Sequence, residues 1–404
     1  MRAVIIAAGS SSRFWPLGEC HKSLLEIGGK PLIVRTINNL PRQVDEVVVV
    51  EPKSKCISKK LKGLKLNREV EFRVQDKPDG MWDAISIGSN DYAGDVLVAS
   101  GHRFSKFALE RLGSGHGTKL LLSKVTNPRE YGVVVIENDK AVEIIEKPKK
   151  PKSDIIVNSA YRLSPELIRK IVTSPGNDHY MLEKVISSHL GKHPAEFEMI
   201  PKEEMPSLKY PWDALRALEL VLDEVKSEVH GNVSERAVIE GDVFVDEGAS
   251  IMPGAYVVGP AYIGRGAFVG TSALVRQSSV EMGAVAGFGS EVTRSLVGPE
   301  SQIHHSFVGD SVISRNVWLG FGVVTANLRF DKSEIISKVK RTKKNTGRRK
   351  FGCAIGCETK VGIGSHIMPG TLIGKKVTVG PGTVVDGNVK DGKKVYVVQK
   401  RVIK

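Results

Sequence analysis

From Val233 onward every sixth residue is aliphatic: Ile239, Val245, Ile251, Val257, Ile263, Val269 and Val275. Four residues after each of the first seven stands Ala237, Val243, Ala249, Ala255, Ala261, Ala267 or Ala273. Neither the helical period of 3.6 nor the strand period of two generates a repeat of six. A chain coiling through short flat strands and tight corners does, because each hexapeptide supplies one face. The aliphatic residue fills the interior and the small one fits the corner. A second run, Ile355, Val361, Ile367, Ile373, Val379 and Val385, repeats the pattern, with Thr359, Ser365, Thr371, Val377 and Thr383 at its corners.

This periodicity resembles the left-handed parallel β-helix of hexapeptide-repeat proteins. The hand comes from that resemblance, since ordinary crossovers are right-handed. With 404 residues in all, two domains are expected, and the repeat claims the second. No apolar run is long enough to span a bilayer, and Met1–Ala8 reads as a short strand running into a glycine turn rather than as a signal peptide. A cytoplasmic protein is expected. The scattered cysteines Cys20, Cys56, Cys353 and Cys357 read as reduced thiols, with only a weak zinc signal in the last pair. A net charge of +14 suits nucleoside triphosphates, sugar phosphates or coenzyme A, and would also suit nucleic acid.

In the first half, the apolar strand Ala3–Ala8 runs into Gly9-Ser10-Ser11-Ser12-Arg13, whose backbone amides could cradle phosphates. Pro16-Leu17, Lys22-Ser23-Leu24 and Ile27-Gly28-Gly29-Lys30-Pro31 follow, the last opening an amphipathic helix. Strands at Val47–Val50, Val70–Gln75 and Asp95–Ala99 alternate with helical stretches at Pro31–Leu40 and Trp82–Asn90. That alternation indicates an α/β fold, a mostly parallel sheet with ligands at its strands' carboxyl ends.

These motifs resemble the sugar-phosphate nucleotidyltransferases. The resemblance implies that Ala8 and Gly9 line the nucleotide, that Arg13 and Lys22 bind the triphosphate and stabilise the departing pyrophosphate, and that Gln75 and Gly80 read the base. Tyr131-Gly132, Glu146-Lys147-Pro148 and Asn158-Ser159-Ala160-Tyr161 fall in the order of a sugar-binding wall, which implies roles for Gly132, Glu146, Lys147 and Asn158. Tyr210-Pro211-Trp212-Asp213 matches the segment ending this domain, where Asp213 corresponds to a metal-binding position. The family's other metal-binding aspartate is replaced by His102. Serine stands at 11 where a second glycine is usual, histidine at 21 where proline is, and Met81 and Trp82 replace small residues, implying a tighter pocket. Asp213 also reads simply as a negative charge at a helix start.

After Val275 the period of six is expected to fail, to return at Val297 and Ile303, and then to slip to Phe307, Ile313 and Leu319. A second interruption, Gly320–Ala354, carries Asn327 and a basic run from Lys338 to Lys350, and an excursion of that length is commonly functional or disordered. His304-His305-Ser306-Phe307-Val308-Gly309-Asp310 and Ala326-Asn327 resemble the acetyltransferase half of archaeal-type bifunctional enzymes that acetylate an amino sugar phosphate and activate it with a nucleoside triphosphate. His304 is then the general base, because an attacking amine must lose a proton and imidazole titrates near neutrality. Asn327 would orient substrate, and Phe307 lacks the family tyrosine's hydroxyl. The tail from Asn388 to Lys404 reads as an edge strand.

The expectation is a nucleotidyltransferase-like α/β domain over 1–227 and a left-handed β-helix over 228–404, assembled as a homotrimer. Its substrates would be a nucleoside triphosphate, a sugar-1-phosphate and acetyl-CoA, with Mg²⁺ as metal or Mn²⁺ or Co²⁺ in its place, and without membrane or nucleic-acid partners. The rival expectation is a non-catalytic sensor of nucleotide sugars, favoured by Ser11, Trp82, His102 and Phe307.

Overall fold

A computed structural model describes residues 1–174, 180–205 and 207–398. It divides into two compact units, Met1–Ser10 with Pro31–Ser207, and Ser11–Lys30 with Leu208–Lys404.

The first unit is built on one sheet. Its strands run in the order Glu196–Met199, Lys119–Lys124, Ile155–Leu163, Val96–Ser100, Arg2–Ile6, Glu46–Pro52 and Glu71–Gln75. The last four are mutually parallel, as the alternation of strands and helices predicts. Ile155–Leu163 runs antiparallel to both neighbours and carries the hairpin Gly132–Glu137 and Lys140–Glu146 on its flank. Val4, Val48, Val98, Leu120 and Leu122 form the centre of the core. Helix α1 (Leu32–Asn38) and helix α2 (Met81–Ser89) bury apolar faces in this unit. Gly88 of α2 lies so close to the first strand that a Cβ there would meet Val4 Cγ1 at 2.5 Å.

The second unit is the coil. Three parallel ladders of short strands form three faces, and each strand pairs with the strand one full turn later. Val245 pairs with Ile263, Ile251 with Val269 and Val257 with Val275, eighteen residues on in each case. Val280, Val297, Ile313, Ile355 and Ile373 continue the interior stack of the first face. Each of these aliphatic side chains is fully buried, worth about 1.5–3 kcal/mol apiece. A helix over Asp213–Asp223 precedes the first coil strand at Glu228.

The coil does not lose its register after Val275. Its turns shorten instead, from eighteen residues to seventeen and then sixteen, as Ile263 pairs with Val280 and Ile303 with Leu319. Each shortened corner has the same two-residue solution. Gln277, Arg294, His305 and Asp310 take φ of 49°, 47°, 48° and 46°, and each is followed by a buried serine, Ser278, Ser295, Ser306 and Ser311. A left-handed residue tightens the corner, and the serine hydroxyl accepts a backbone N–H from the next turn. Ser278 Oγ takes that of Ser295 at 3.0 Å, Ser295 Oγ that of Ser311 at 3.0 Å and Ser311 Oγ that of Cys353 at 3.1 Å. The interior residue of the third face is therefore Val308, fully buried, while Phe307 beside it faces outward.

The second interruption is also shorter than expected. Val324–Thr325 still pairs within the third face, and the coil resumes at Cys353. The excursion between them folds into a hairpin, Ile336–Val339 against Thr342–Asn345. Its inner residues Ser337 and Val339 are buried while Lys338, Lys340, Arg341 and Lys343 are exposed. Lys394–Val395 adds a last parallel strand to the second face, and the rest of the expected tail, 399–404, lies outside the described residues.

Candidate active sites

The loop after the first strand is not packed where the sequence suggests. Ser11–Lys30 belongs to the coil's unit and is strapped along it. Trp15 Nε1 donates to Asp391 at 2.8 Å, Lys375 Nζ to the Gly18 carbonyl at 2.7 Å, and Arg315 pairs with Glu19 at 3.6 Å. Farther up the coil, the buried Glu281 accepts the N–H groups of Gly28 at 2.7 Å and Gly29 at 2.9 Å, along with the Ser279 hydroxyl. In the hexapeptide period the mark of Glu281 is that a carboxylate stands six residues after Val275, where the next aliphatic residue is due.

Within this strap Ser11 adopts φ 50°, the conformation for which glycine is the low-cost residue. Its hydroxyl accepts the Lys22 N–H at 3.1 Å, so the serine tightens the turn and holds it closed. His21 is buried, its Nδ1 accepting the Ser23 N–H at 3.2 Å. Burial, with the Lys22 charge adding to it, pulls its pKa down to about 3, so the ring is neutral. Arg13 is exposed. Gly9, at the end of the other unit's first strand, has open space where a Cβ would stand, and Ala8 before it is buried.

The structure brings Lys22 and Asp213 into one electrostatic neighbourhood. Lys22 Nζ donates to the Leu208 carbonyl at 2.9 Å, and Asp213 Oδ2 accepts the N–H groups of Lys209 and Tyr210, each at 2.7 Å. Burial pushes the Asp213 carboxyl up to about 6, against the pull of those amides and of Lys22. With Oδ2 held by two backbone donors, Oδ1 is the oxygen that fits a hard cation. His102, in the other unit, is buried in the turn closing strand Val96–Ser100, where Gly101 N–H donates to the Ile6 carbonyl at 3.0 Å. An imidazole at that position suits a softer ion than magnesium.

Gln75 is buried at the end of its strand, its Nε2 donating to the Gly80 carbonyl at 3.1 Å and to Asp83 at 2.8 Å. Gly80, with φ 102°, is the residue before α2. Trp82 is turned toward the helix α3 (Pro165–Thr173), where its indole N–H donates to the Ile171 carbonyl at 2.7 Å.

The residues expected to form a sugar wall lie on the hairpin side of the sheet. Asn158 sits where the register of Ile155–Leu163 shifts, with Ser159 at φ 50°, and its Nδ2 donates to Ser123 Oγ at 2.7 Å. Such a bulge re-aims side chains at functional edges. Gly132 pairs with Glu146 across the hairpin, where a Cβ would stand 3.0 Å from the Glu146 carboxylate. Lys147 Nζ bonds that carboxylate at 2.7 Å and lies over the Tyr180 ring at 4.8 Å. Glu146 also lines an open groove of about 640 Å³ with Tyr180 and Glu183.

On the coil, His304 is exposed at the edge between the second and third faces, its ring meeting Phe321 edge-on at 5.9 Å. His305 is stacked between Phe288 and Phe321, at 5.6 and 4.6 Å. Its Nδ1 lies 2.9 Å from the Phe288 carbonyl, which can only accept, so Nδ1 carries the proton and Nε2 the lone pair. Asn327 stands at the far edge of the third face, its Nδ2 donating to Asp310 at 2.6 Å, and Asp310 is gripped by Arg294 through two bonds of 2.7 Å. Phe307 packs over Gly309 beside Asn327. His304 and Asn327 thus occupy opposite edges of one face.

A nucleotidyl transferase family profile matches residues 2–213. The bifunctional protein GlmU of Methanococcus aeolicus is 33% identical over 100% of this chain and 99% of its own. A bifunctional sugar-1-phosphate nucleotidylyltransferase/acetyltransferase of Sulfurisphaera tokodaii is 34% identical over 97% of this chain and 99% of its own. The chain belongs to this nucleotidyl transferase family.

Its bifunctional relatives match it from end to end, so the coil is inherited together with the sheet domain. Among the described residues no helix is long and apolar enough to cross a membrane. Cys353 and Cys357 are free and buried, and the expectation of reduced thiols extends to that pair alone. Sequence reasoning missed Glu281, Lys375 and Arg294, because each acts through a backbone group or another side chain.

Proposed function

We propose that the protein is a sugar-1-phosphate nucleotidyltransferase that also acetylates an amino sugar phosphate, with the two activities divided between residues 1–227 and 228–404. End-to-end similarity to proteins named for both activities carries this reading. In the first reaction a sugar phosphate oxygen attacks the α-phosphorus of a nucleoside triphosphate and pyrophosphate leaves. Arg13 and Lys22 offset the charge on the triphosphate, Gln75 and Gly80 face the base, and Gly132, Glu146, Lys147 and Asn158 form the sugar wall. A divalent ion, Mg²⁺ or a softer Mn²⁺ or Co²⁺, would be held by Asp213, with His102 at the family's second position, and would supply neutralisation of phosphate charge.

In the second reaction an amine attacks the acetyl-CoA carbonyl, His304 accepts the amine proton, and the thiol of coenzyme A departs. Asn327, fixed by Asp310 and Arg294, orients the substrate. The separation of His304 and Asn327 across one face favours a site completed by a neighbouring copy, in a homotrimer. Pyrophosphate and free-thiol release, measured side by side with a panel of sugar phosphates, tests both halves. Gln75, whose amide is committed to Gly80 and Asp83, favours the rival reading of a nucleotide-sugar sensor, for which thiol release alone would be seen.

A further inference from the structure

Away from both candidate sites, Glu166, His189 and His193 place one ligand atom each within 4.8 Å of one another. Glu166 lies in the first turn of α3, His189 in the last turn of helix α4 (Met181–Leu190), and His193 four residues beyond His189. His189 is buried, Glu166 is half-exposed and His193 is exposed. Glu166 Oε1 lies 3.9 Å from His189 Nδ1 and 3.7 Å from His193 Nε2. A tetrahedral zinc with bonds near 2.0–2.1 Å sets its ligands roughly 3.4 Å apart, so the two glutamate–histidine pairs need a contraction of a few tenths of an ångström, and the two imidazoles, within 4.8 Å of each other, a rotamer adjustment of the exposed His193.

The centre of the cluster already holds a positive charge. Lys170 Nζ is 2.8 Å from Glu166 Oε1 and 3.2 Å from His189 Nδ1. An ammonium only donates, so His189 Nδ1 must be presenting its lone pair. A carboxylate oxygen and an imidazole lone pair therefore converge on one cation, with a second imidazole beside them. Two nitrogen donors and one oxygen suit a borderline divalent transition ion and not magnesium or calcium. The lysine side chain is about two-fifths exposed, so its amine can swing into water when displaced.

We propose that Glu166, His189 and His193 form a binding site for a zinc-class divalent ion, which enters by displacing the Lys170 ammonium. The ion ties the start of α3 to the end of α4. The other side of α4 supplies Glu183, Lys184 and Ser187 to the groove that Glu146 lines, so the ion holds one wall of that groove in place.

The test is equilibrium dialysis of the full chain against Zn²⁺ alone, with Co²⁺ absorption reporting nitrogen ligation. Native protein should bind one ion that His193→Ala, a change at an exposed residue, weakens by at least the roughly 10–100-fold that even a supporting residue costs at a metal site. Lys170→Met should bind more tightly than native, because the competing ammonium is gone. Glu166→Gln should bind more weakly. Zn²⁺ binding unchanged by His193→Ala would overturn the site, and binding unchanged or weakened by Lys170→Met would overturn the displacement.

Discussion

Glu281 Oε1 accepts the backbone N–H of Gly28 at 2.7 Å. The two residues are far apart in sequence, and the bond fixes the end of the Ser11–Lys30 strap to the middle of the coil, with Oε2 holding Gly29 in the same way. The loop's conformation is thus set by the β-helix as well as by its own sequence. Glu281→Ala would remove the carboxylate acceptor from the N–H groups of the half-buried Gly28 and the exposed Gly29, at about 1–3 kcal/mol in all. The expected outcome is a stability loss of that order in urea unfolding and a raised KM for nucleoside triphosphate. Acetyl transfer by the coil should keep its kcat.

His21 gives the strap a pH dependence whose sign is fixed. Its folded pKa of about 3 lies below the ordinary value near 6.5, so the unfolded state binds the extra proton and stability is lost as pH falls from about 6.5 toward 3. Between pH 7 and pH 5 the loss from this group is about 2 kcal/mol. His21→Asn keeps an acceptor for the Ser23 N–H and cannot titrate there. Urea midpoints at the two pH values should show a smaller acid loss in the variant, and equal losses would remove His21 as the cause.

The strict hexapeptide stretches were legible because a side chain that must fill a prism interior repeats with the backbone. The shortened turns were not, because deleting one residue from a corner shifts every later position while the ladder itself continues. Their signature, a left-handed residue followed by serine at Gln277-Ser278, Arg294-Ser295, His305-Ser306 and Asp310-Ser311, is local and aperiodic. Among site residues, those in family motifs could be named by order and spacing. Glu281, Lys375 and Arg294 could not, because tertiary pairing alone gives them partners.

The serine ladder predicts its own cost. Ser295 Oγ accepts the Ser311 N–H and donates to the Thr293 carbonyl, so Ser295→Ala leaves a buried donor unmet, worth about 1–3 kcal/mol. Ser272→Ala, at an exposed corner, should change stability by much less. Thermal unfolding of the two variants compares them directly.

His304 and His305 separate by chemistry. If His304 takes the amine proton, His304→Ala should lower acetyl-transfer turnover by about 10²–10⁴ with little change in acetyl-CoA binding. His305, held by the Phe288 carbonyl and stacked between two rings, should act on geometry, so its replacement by glutamine should cost less. The reverse ranking would move the base to His305, whose Nε2 lone pair is already oriented by that bond.

His102 and Asp213 should decide which metal supports nucleotidyl transfer. Nucleotidyl transfer needs charge on the triphosphate neutralised as the sugar phosphate attacks, and a metal held between two carboxylates does this well. Here one of the two family positions is imidazole, and the remaining carboxylate spends an oxygen on the amides of Lys209 and Tyr210. Magnesium should therefore be held weakly. The native protein is expected to release little pyrophosphate with Mg²⁺, more with Mn²⁺ or Co²⁺, and His102→Asp is expected to raise the Mg²⁺ rate. Robust Mg²⁺-dependent release that His102→Asp leaves unchanged or lowers would mean that water and phosphate oxygens complete the metal's shell, since magnesium commonly keeps several waters.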